Sequence, residues 1–348
     1  MPPMRSLKLT AIRTLKMMSV PRPEIRGDHD VLLKLSSIGV CGSDVHYYKT
    51  GRIGSQVITF PYALGHECSA VVEAVGAGVK NVRVGQLVAV EPATSCHECD
   101  QCRMGRENTC RKLTFLGTPG QGEGCLSEYI VMRDECCFPV PAGIDRDAAA
   151  LCEPLSIGLY TVRHALPTQG ASAAIFGGGP IGLSVLLPLK SGLARRVYAT
   201  DRLEYRCDVL RRYGADWAGN PDCEDVVATI QQAEPLGVDM AFECAGQQET
   251  IDQAVKVLRP GGKLMLVGIP EFERVSFAID LLRRKELTVQ NVRRQNHCVA
   301  PAIEMIAKNR IDPRFMATHR FSFDDAPKAF ELVEAYADKV IKAMIHFD

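Results

Sequence analysis

No stretch of the sequence approaches the roughly 18 uninterrupted apolar residues that a membrane-crossing helix needs. The N-terminal segment MPPMRSLKLTAIRTLKMMSVPRP also lacks the apolar core of a secretory signal. These absences predict a soluble, cytoplasmic protein with no membrane partner. Net charge is missing too: 41 Lys and Arg balance 41 Asp and Glu, so bulk electrostatics favours no polyanion. The densest basic clusters, Arg283-Arg284-Lys285 and Arg293-Arg294, are short and read as solvated faces, which excludes nucleic acid as a partner. There is no internal repeat and no low-complexity tract. With 46% hydrophobic residues in 348, disordered and collagen-like readings fall away and two cores can be filled.

Cysteine is not scarce. Fourteen thiols in a reducing compartment are poor disulfide candidates, which turns attention to metal binding.

Up to about residue 150 the chain carries short β-type runs, VLLKLSSIGV, CSAVVEAVG, QLVAVEP and LSEYIVM, separated by Gly, Pro and Asp turn signals. They predict an antiparallel, barrel-like lobe. From about residue 157 the texture changes to alternating strands and helices, which implies a doubly wound parallel sheet. Pro188 is expected to kink the first of these helices, and Pro-Gly-Gly at 260–262 to end a later one. A further helix, VAPAIEMIAKN, and a closing apolar strand, KAMIHF, complete the chain.

CHECDQCRMGRENTC places Cys96, Cys99, Cys102 and Cys110 at spacings of three, three and eight. Four thiolates form a closed tetrahedral shell for structural zinc, with no open position for water. They also suit an iron–sulfur cluster. A second metal would have to do chemistry, and its candidates are scattered: Cys41 in a glycine-bordered turn, His66 and Glu67 after Gly65, and Glu153 before a proline. Neighbouring residues on an extended segment face opposite ways, so His66 and Glu67 reach one ion only if Gly65 turns the backbone. Cys, His and a carboxylate make a three-ligand set that leaves a position open. Spacing alone does not bring these four together.

GGGPIG supplies Gly177, Gly179 and Gly182 as G-x-G-x-x-G, between a predicted strand and helix, with Asp201 19 positions beyond Gly182. Glycines let backbone approach a pyrophosphate at a helix N-terminus, and the acidic residue accepts from a ribose diol.

GVCGSDVHYYKTGRIG, LGHE, EPLS, FGGGPIG and HRF, in this order and spacing, resemble the zinc-dependent medium-chain dehydrogenases, most closely their sorbitol or polyol branch. The resemblance runs essentially end to end. It implies a GroES-like antiparallel β-barrel catalytic domain, residues 1–156 and 289–348, and a Rossmann cofactor domain, residues 157–288. It implies two zinc ions per chain: a catalytic one on Cys41, His66 and Glu67 with Glu153 bound directly or through water, and a structural one on the four clustered cysteines. Ser43 and nearby hydroxyls would relay a proton. NAD would contact Gly177, Gly179, Ile181, Gly182, Asp201 and Arg206, and on the nicotinamide side Val267, Gly268, Ile269, Asn291, Val292 and Arg293. Tyr47, Glu153, Arg293 and Arg294 fall at substrate positions.

Three departures stand out. Ala70 replaces a usual glycine, all four structural cysteines are kept where some animal members have lost theirs, and Val292 and Arg294 replace an aromatic pair. The expected function is NAD-linked oxidation of a polyol to a ketose by a homotetramer or dimer. The alternatives are threonine, a sugar acid or a simple secondary alcohol as substrate, or a non-enzymatic dinucleotide-binding zinc protein.

Overall fold

The computed structural model describes residues 3–347. Contacts divide the chain into two compact units, one combining the chain up to Glu153 with that from Val299 onward, the other Pro154–Cys298. The junctions therefore fall at 153/154 and 298/299 rather than at 156/157 and 288/289. The later one shifts because Thr288–Asn291 pairs as the sixth strand of the parallel sheet.

The first unit is organised by strand Asp30–Gly39. One edge pairs antiparallel with Glu67–Val75, and the other takes Tyr129–Arg133 along its first half and Lys342–His346 at its end. Glu67–Val75 passes the sheet on to Leu87–Val90 and Cys137–Pro139. The side chains of Leu33, Leu35, Ile38, Val72, Val88, Leu126 and Phe330 fill the core beneath it; along VLLKL the alternate residues Val31, Leu33 and Leu35 join that core, while Lys34 on the other face is exposed. One pairing departs from the antiparallel expectation: Ala317–Ser322 runs parallel to Lys342–His346. Helix Ala326–Glu334 makes the crossover that a parallel pair requires.

The second unit holds six parallel strands in the order Trp217–Gly219, Ala194–Thr200, Ala171–Phe176, Val238–Glu243, Leu258–Leu266, Thr288–Asn291. Every residue of ASAAIF is buried, as a central strand covered on both faces demands. The winding direction reverses between Ala171–Phe176 and Val238–Glu243, which makes the carboxyl ends of those two strands the switch point.

At Pro188 the regular helix Pro180–Pro188 ends and widens into a turn over Leu189–Leu193, broken by Gly192 at φ 119°. One local expectation changes. Pro-Gly-Gly does not end a helix. Helix Gln248–Val257 stops earlier, and the three residues lie in strand Leu258–Leu266, where the register shifts between Val238 and Met240 of the partner strand. Glycines and a proline are placed where a bulge relieves regular pairing. No helix among the described residues is long and apolar enough to cross a membrane.

Candidate active site

Cys96, Cys99, Cys102 and Cys110 come together in one loop. Their sulfurs are 4.0 Å apart for Cys96–Cys102, 3.5 Å for Cys99–Cys102, 3.9 Å for Cys99–Cys110 and 3.4 Å for Cys96–Cys110. A tetrahedron with zinc–sulfur bonds of about 2.3 Å has edges of about 3.8 Å, whereas a disulfide would bring two sulfurs to about 2.05 Å. The cage is sized for one ion, and a multi-iron cluster would hold the thiolates further apart. The backbone amides of Arg111 and Cys102 pull the Cys99 thiol down to about 6, whereas burial pushes the Cys102 thiol up to about 12; a cation at the centre would draw all four to thiolates.

The second cluster is Cys41, His66 and Glu67, with one ligand atom of each within 4.8 Å of the others. Cys41 precedes helix Gly42–Thr50 as its N-cap. Gly65 has φ +95°, and a Cβ there would meet Cys125 Sγ at 3.1 Å and Leu126 Cγ at 3.3 Å. Glycine thus supplies the turn that lets two consecutive side chains face one point. Gly39, across the sheet, makes room for the carboxylate: a Cβ on it would sit 2.4 Å from Glu67 Oε2.

Asp44 Oδ1 accepts from the Gly65 amide at 3.1 Å and lies 3.4 Å from His66 Nδ1. A carboxylate on Nδ1 fixes the ring and presents Nε2 as the ligating nitrogen. Burial pushes the His66 pKa down, but Asp44 and Cys41 outweigh it and hold it well above the ordinary imidazole value. A cation is therefore welcome beside this ring. Ser43 Oγ donates to Cys41 Sγ at 3.3 Å. Tyr47 is buried, and its hydroxyl donates to Gln56 Oε1 at 3.3 Å.

Glu153 is buried but lies outside the tight trio. Burial pushes its carboxyl up to about 8, against the pull of His66 and with Glu67 adding to the rise. Lys342, fully enclosed in the C-terminal strand, donates to both oxygens of Glu67 and to Val40 O.

In the other unit Gly177 adopts φ +106°, and a Cβ there would lie 2.9 Å from Ala245 N. A Cβ on Gly182 would come within 1.9 Å of Gly177 O, so the third glycine permits close contact between helix and strand. Gly179 caps helix Pro180–Pro188, and Ile181 in its first turn is half-buried. Asp201 Oδ2 accepts from the Gly178 amide at 2.7 Å and Oδ1 from Leu203 N at 2.9 Å, while Arg206 Nη1 stands 3.6 Å from Oδ2. Val267 and Gly268 follow strand Leu258–Leu266 and are half-buried, and Ile269 is exposed. Val292 N donates to Leu266 O, Asn291 and Arg293 are exposed, and Arg294 is half-buried at φ 54°.

Sequence reading missed Asp44, Lys342 and Glu243. For Lys342 a signal exists: one lysine in an otherwise apolar closing strand calls for a buried carboxylate.

A closed four-sulfur cage, an open Cys-His-Glu trio and a glycine turn at a switch point define a metal-assisted, dinucleotide-linked oxidoreductase. Residues 27–142 match the alcohol dehydrogenase GroES-like domain, and residues 180–308 match the zinc-binding dehydrogenase family. The sorbitol dehydrogenase of Bacillus subtilis is 32% identical over 344 residues, 99% of this chain and 97% of that one. The L-idonate 5-dehydrogenase of Vitis vinifera is 34% identical, over 97% of this chain and 93% of its own. A solved alcohol dehydrogenase of Escherichia coli CFT073, complexed with NADH, superposes with a TM-score of 0.91 at 27% identity over 100% of both chains. The chain belongs to the zinc-binding dehydrogenase family, in its polyol dehydrogenase branch.

Proposed function

We infer that this chain is a zinc-dependent, NAD-linked dehydrogenase that oxidises a secondary hydroxyl of a polyol to a ketose. The observation that carries the reading is the coexistence of two donor sets: a closed one of four thiolates and an open one of Cys41, His66 and Glu67. A structural or sensing protein has no use for the second.

Oxidation removes a hydride from the carbinol carbon and a proton from its hydroxyl. When bound, zinc supplies a Lewis acid that lowers the alcohol pKa, and NAD supplies the hydride acceptor. Cys41, His66 and Glu67 would hold that ion, and Lys342, paired with Glu67, offsets one of the negative charges gathered there. Asp44 orients His66 for this role. Ser43 Oγ, beside Cys41 Sγ, would relay the released proton toward solvent, passing on its own hydroxyl proton as it receives that one. Tyr47 and Glu153 offer hydroxyl partners to a polyol, and Arg293 a further donor. The Asp201 carboxylate receives the ribose diol and repels a 2′-phosphate. Glycines 177, 179 and 182 and the first turn at Ile181 receive the pyrophosphate, Arg206 the adenosine half, and Val267, Gly268, Ile269, Asn291, Val292 and Arg293 the nicotinamide half.

A sugar acid is the second reading. Arg294 stands where related enzymes have an aromatic ring, and one relative is named an L-idonate 5-dehydrogenase; a guanidinium pairs well with a carboxylate. The polyol is preferred because the Bacillus subtilis relative is named a sorbitol dehydrogenase and because the buried Glu153 carboxyl, pushed up to about 8, offers a neutral polyol both a donor and an acceptor. A panel of pentitols, hexitols, threonine, aldonic acids and simple alcohols with NAD tests this. Turnover confined to acids or threonine overturns it. The reading places the enzyme in the cytoplasm, where its free thiols stay reduced. It assembles as a homotetramer or dimer through the cofactor unit, whose strand Thr288–Asn291 is the last of the six-stranded sheet among the described residues. Light scattering on the purified protein checks the assembly.

A further inference from the structure

Glu243 ends strand Val238–Glu243 at the switch point and is 1% exposed. Among the described residues it forms no ion pair. Its Oε1 instead accepts from the amides of Ala245 at 2.8 Å and Gly246 at 2.7 Å, and from Thr250 Oγ1 at 2.8 Å. One buried oxygen thereby folds the loop after the strand back onto the strand's own end. Burial raises the pKa of Glu243 even with these donors, so the group is costly to keep and needs a reason.

The loop it holds touches two other walls of the same crevice. On one side it abuts the glycine turn, since a Cβ on Gly177 would meet Ala245 N at 2.9 Å and Cys244 C at 3.0 Å. On the other it abuts the segment after strand Leu258–Leu266: a Cβ on Gly268 would lie 2.3 Å from Gly246 N and 2.7 Å from Glu243 Oε2, and one on Gly246 would lie 2.6 Å from Ile269 O. The Glu243 carbonyl also accepts from the amides of Val267 and Gly268, each at 2.9 Å. Side chain and main chain of one residue thus fix residues 244–246 and 267–269 together.

A dinucleotide straddling a switch point places its halves over opposite sides of the sheet. Asp201 follows Ala194–Thr200 on one side, and Val267–Ile269 follow Leu258–Leu266 on the other. We propose that Glu243 is a positioning residue for the nicotinamide half of the cofactor: it holds the 244–246 loop as the brace that sets the height of the Val267–Ile269 backbone. The proposal rests on the NAD reading above.

The test uses the zinc-loaded full chain and two ligands, NADH and ADP-ribose, titrated calorimetrically. Glu243→Ala should weaken NADH at least tenfold and ADP-ribose less than threefold, with zinc content unchanged. Glu243→Gln, which keeps an acceptor at Oε1, should restore NADH affinity to within threefold of wild type. Should Glu243→Ala fail to fold, Thr250→Val removes one donor to the same oxygen and should weaken NADH selectively by a few-fold. Parallel loss of both ligands, or loss of neither, overturns the positioning role. Failure of the wild-type chain to bind NADH sinks the NAD reading instead, so the two failures are distinguishable.

Discussion

The Lys342 ammonium lies 2.8 and 2.6 Å from the two carboxylate oxygens of Glu67, and both side chains are 1% exposed. The pair joins the last strand of the first unit to the carboxylate of the metal trio across a sequence separation of 275. Removing one partner of a buried pair leaves the other charge uncompensated. Lys342→Met should therefore destabilise the protein by about 3–5 kcal/mol, read as a lower urea midpoint. Adding Glu67→Gln to that variant should cost less than Glu67→Gln alone, because it removes a charge already stranded.

The two metal sites should separate by mutation. Cys99→Ser opens the sulfur cage and should lower zinc by one ion per chain together with the melting temperature. His66→Ala should abolish turnover while leaving the melting temperature close to wild type. Elemental analysis and thermal melts check both. An unchanged zinc content in Cys99→Ser would refute the structural site.

Cofactor choice should depend on the charge of Asp201. Arg206 Nη1 already stands 3.6 Å from Asp201 Oδ2, so converting the carboxylate to an amide removes a repulsion and releases a cation for a 2′-phosphate. The wild type should prefer NAD. In Asp201→Asn the ratio of kcat/KM values, NAD over NADP, should fall at least tenfold. An unchanged ratio would show that another group sets the preference.

Asp147 ties helix, sheet and C-terminus together. It accepts from Ser37 Oγ at 2.7 Å, Arg320 Nε at 2.8 Å and His346 Nε2 at 2.7 Å. Burial alone would raise its pKa, but these donors hold it below the ordinary carboxylate value. A depressed folded-state pKa contributes stability that is present above the unfolded value of about 3.9 and lost as pH falls through the folded value. Asp147→Asn should cost about 1–3 kcal/mol at neutral pH. Its deficit against wild type should shrink below about pH 4. A deficit independent of pH would remove the carboxylate charge from the account.

What the chain's sequence discloses follows the range of the interaction. The four cysteines fall within fifteen residues, and the glycine turn with its flanking strand and helix is a local pattern, so both could be read directly. His66 and Glu67 needed only the turn at Gly65. The partners of those groups could not be read the same way: Asp44 meets His66 and Lys342 meets Glu67 only after distant strands pair. Glu243 was hidden for another reason, since its partners are main-chain amides that carry no residue signature. Pro260-Gly261-Gly262 misleads because bulges and helix ends ask for the same residue types. The junction near residue 290 misleads because Thr288–Asn291 is too short to announce a sixth strand.

The first unit is discontinuous, with strand Lys342–His346 paired onto Asp30–Gly39. On the ribosome this imposes an order. Pro154–Cys298 is synthesised as one uninterrupted stretch and can fold as soon as it clears the exit tunnel, whereas the opening portion must wait, with an edge of its central sheet unfilled and Glu67 without its lysine, until residues beyond 340 emerge. At about 5–20 residues per second that interval lasts on the order of ten seconds or more. During it the nascent chain offers an open strand edge to chaperones and to neighbouring nascent copies. The contact between Glu67 and Lys342 is accordingly made late, whereas the four cysteines of residues 96–110 lie in one loop that is complete early in synthesis.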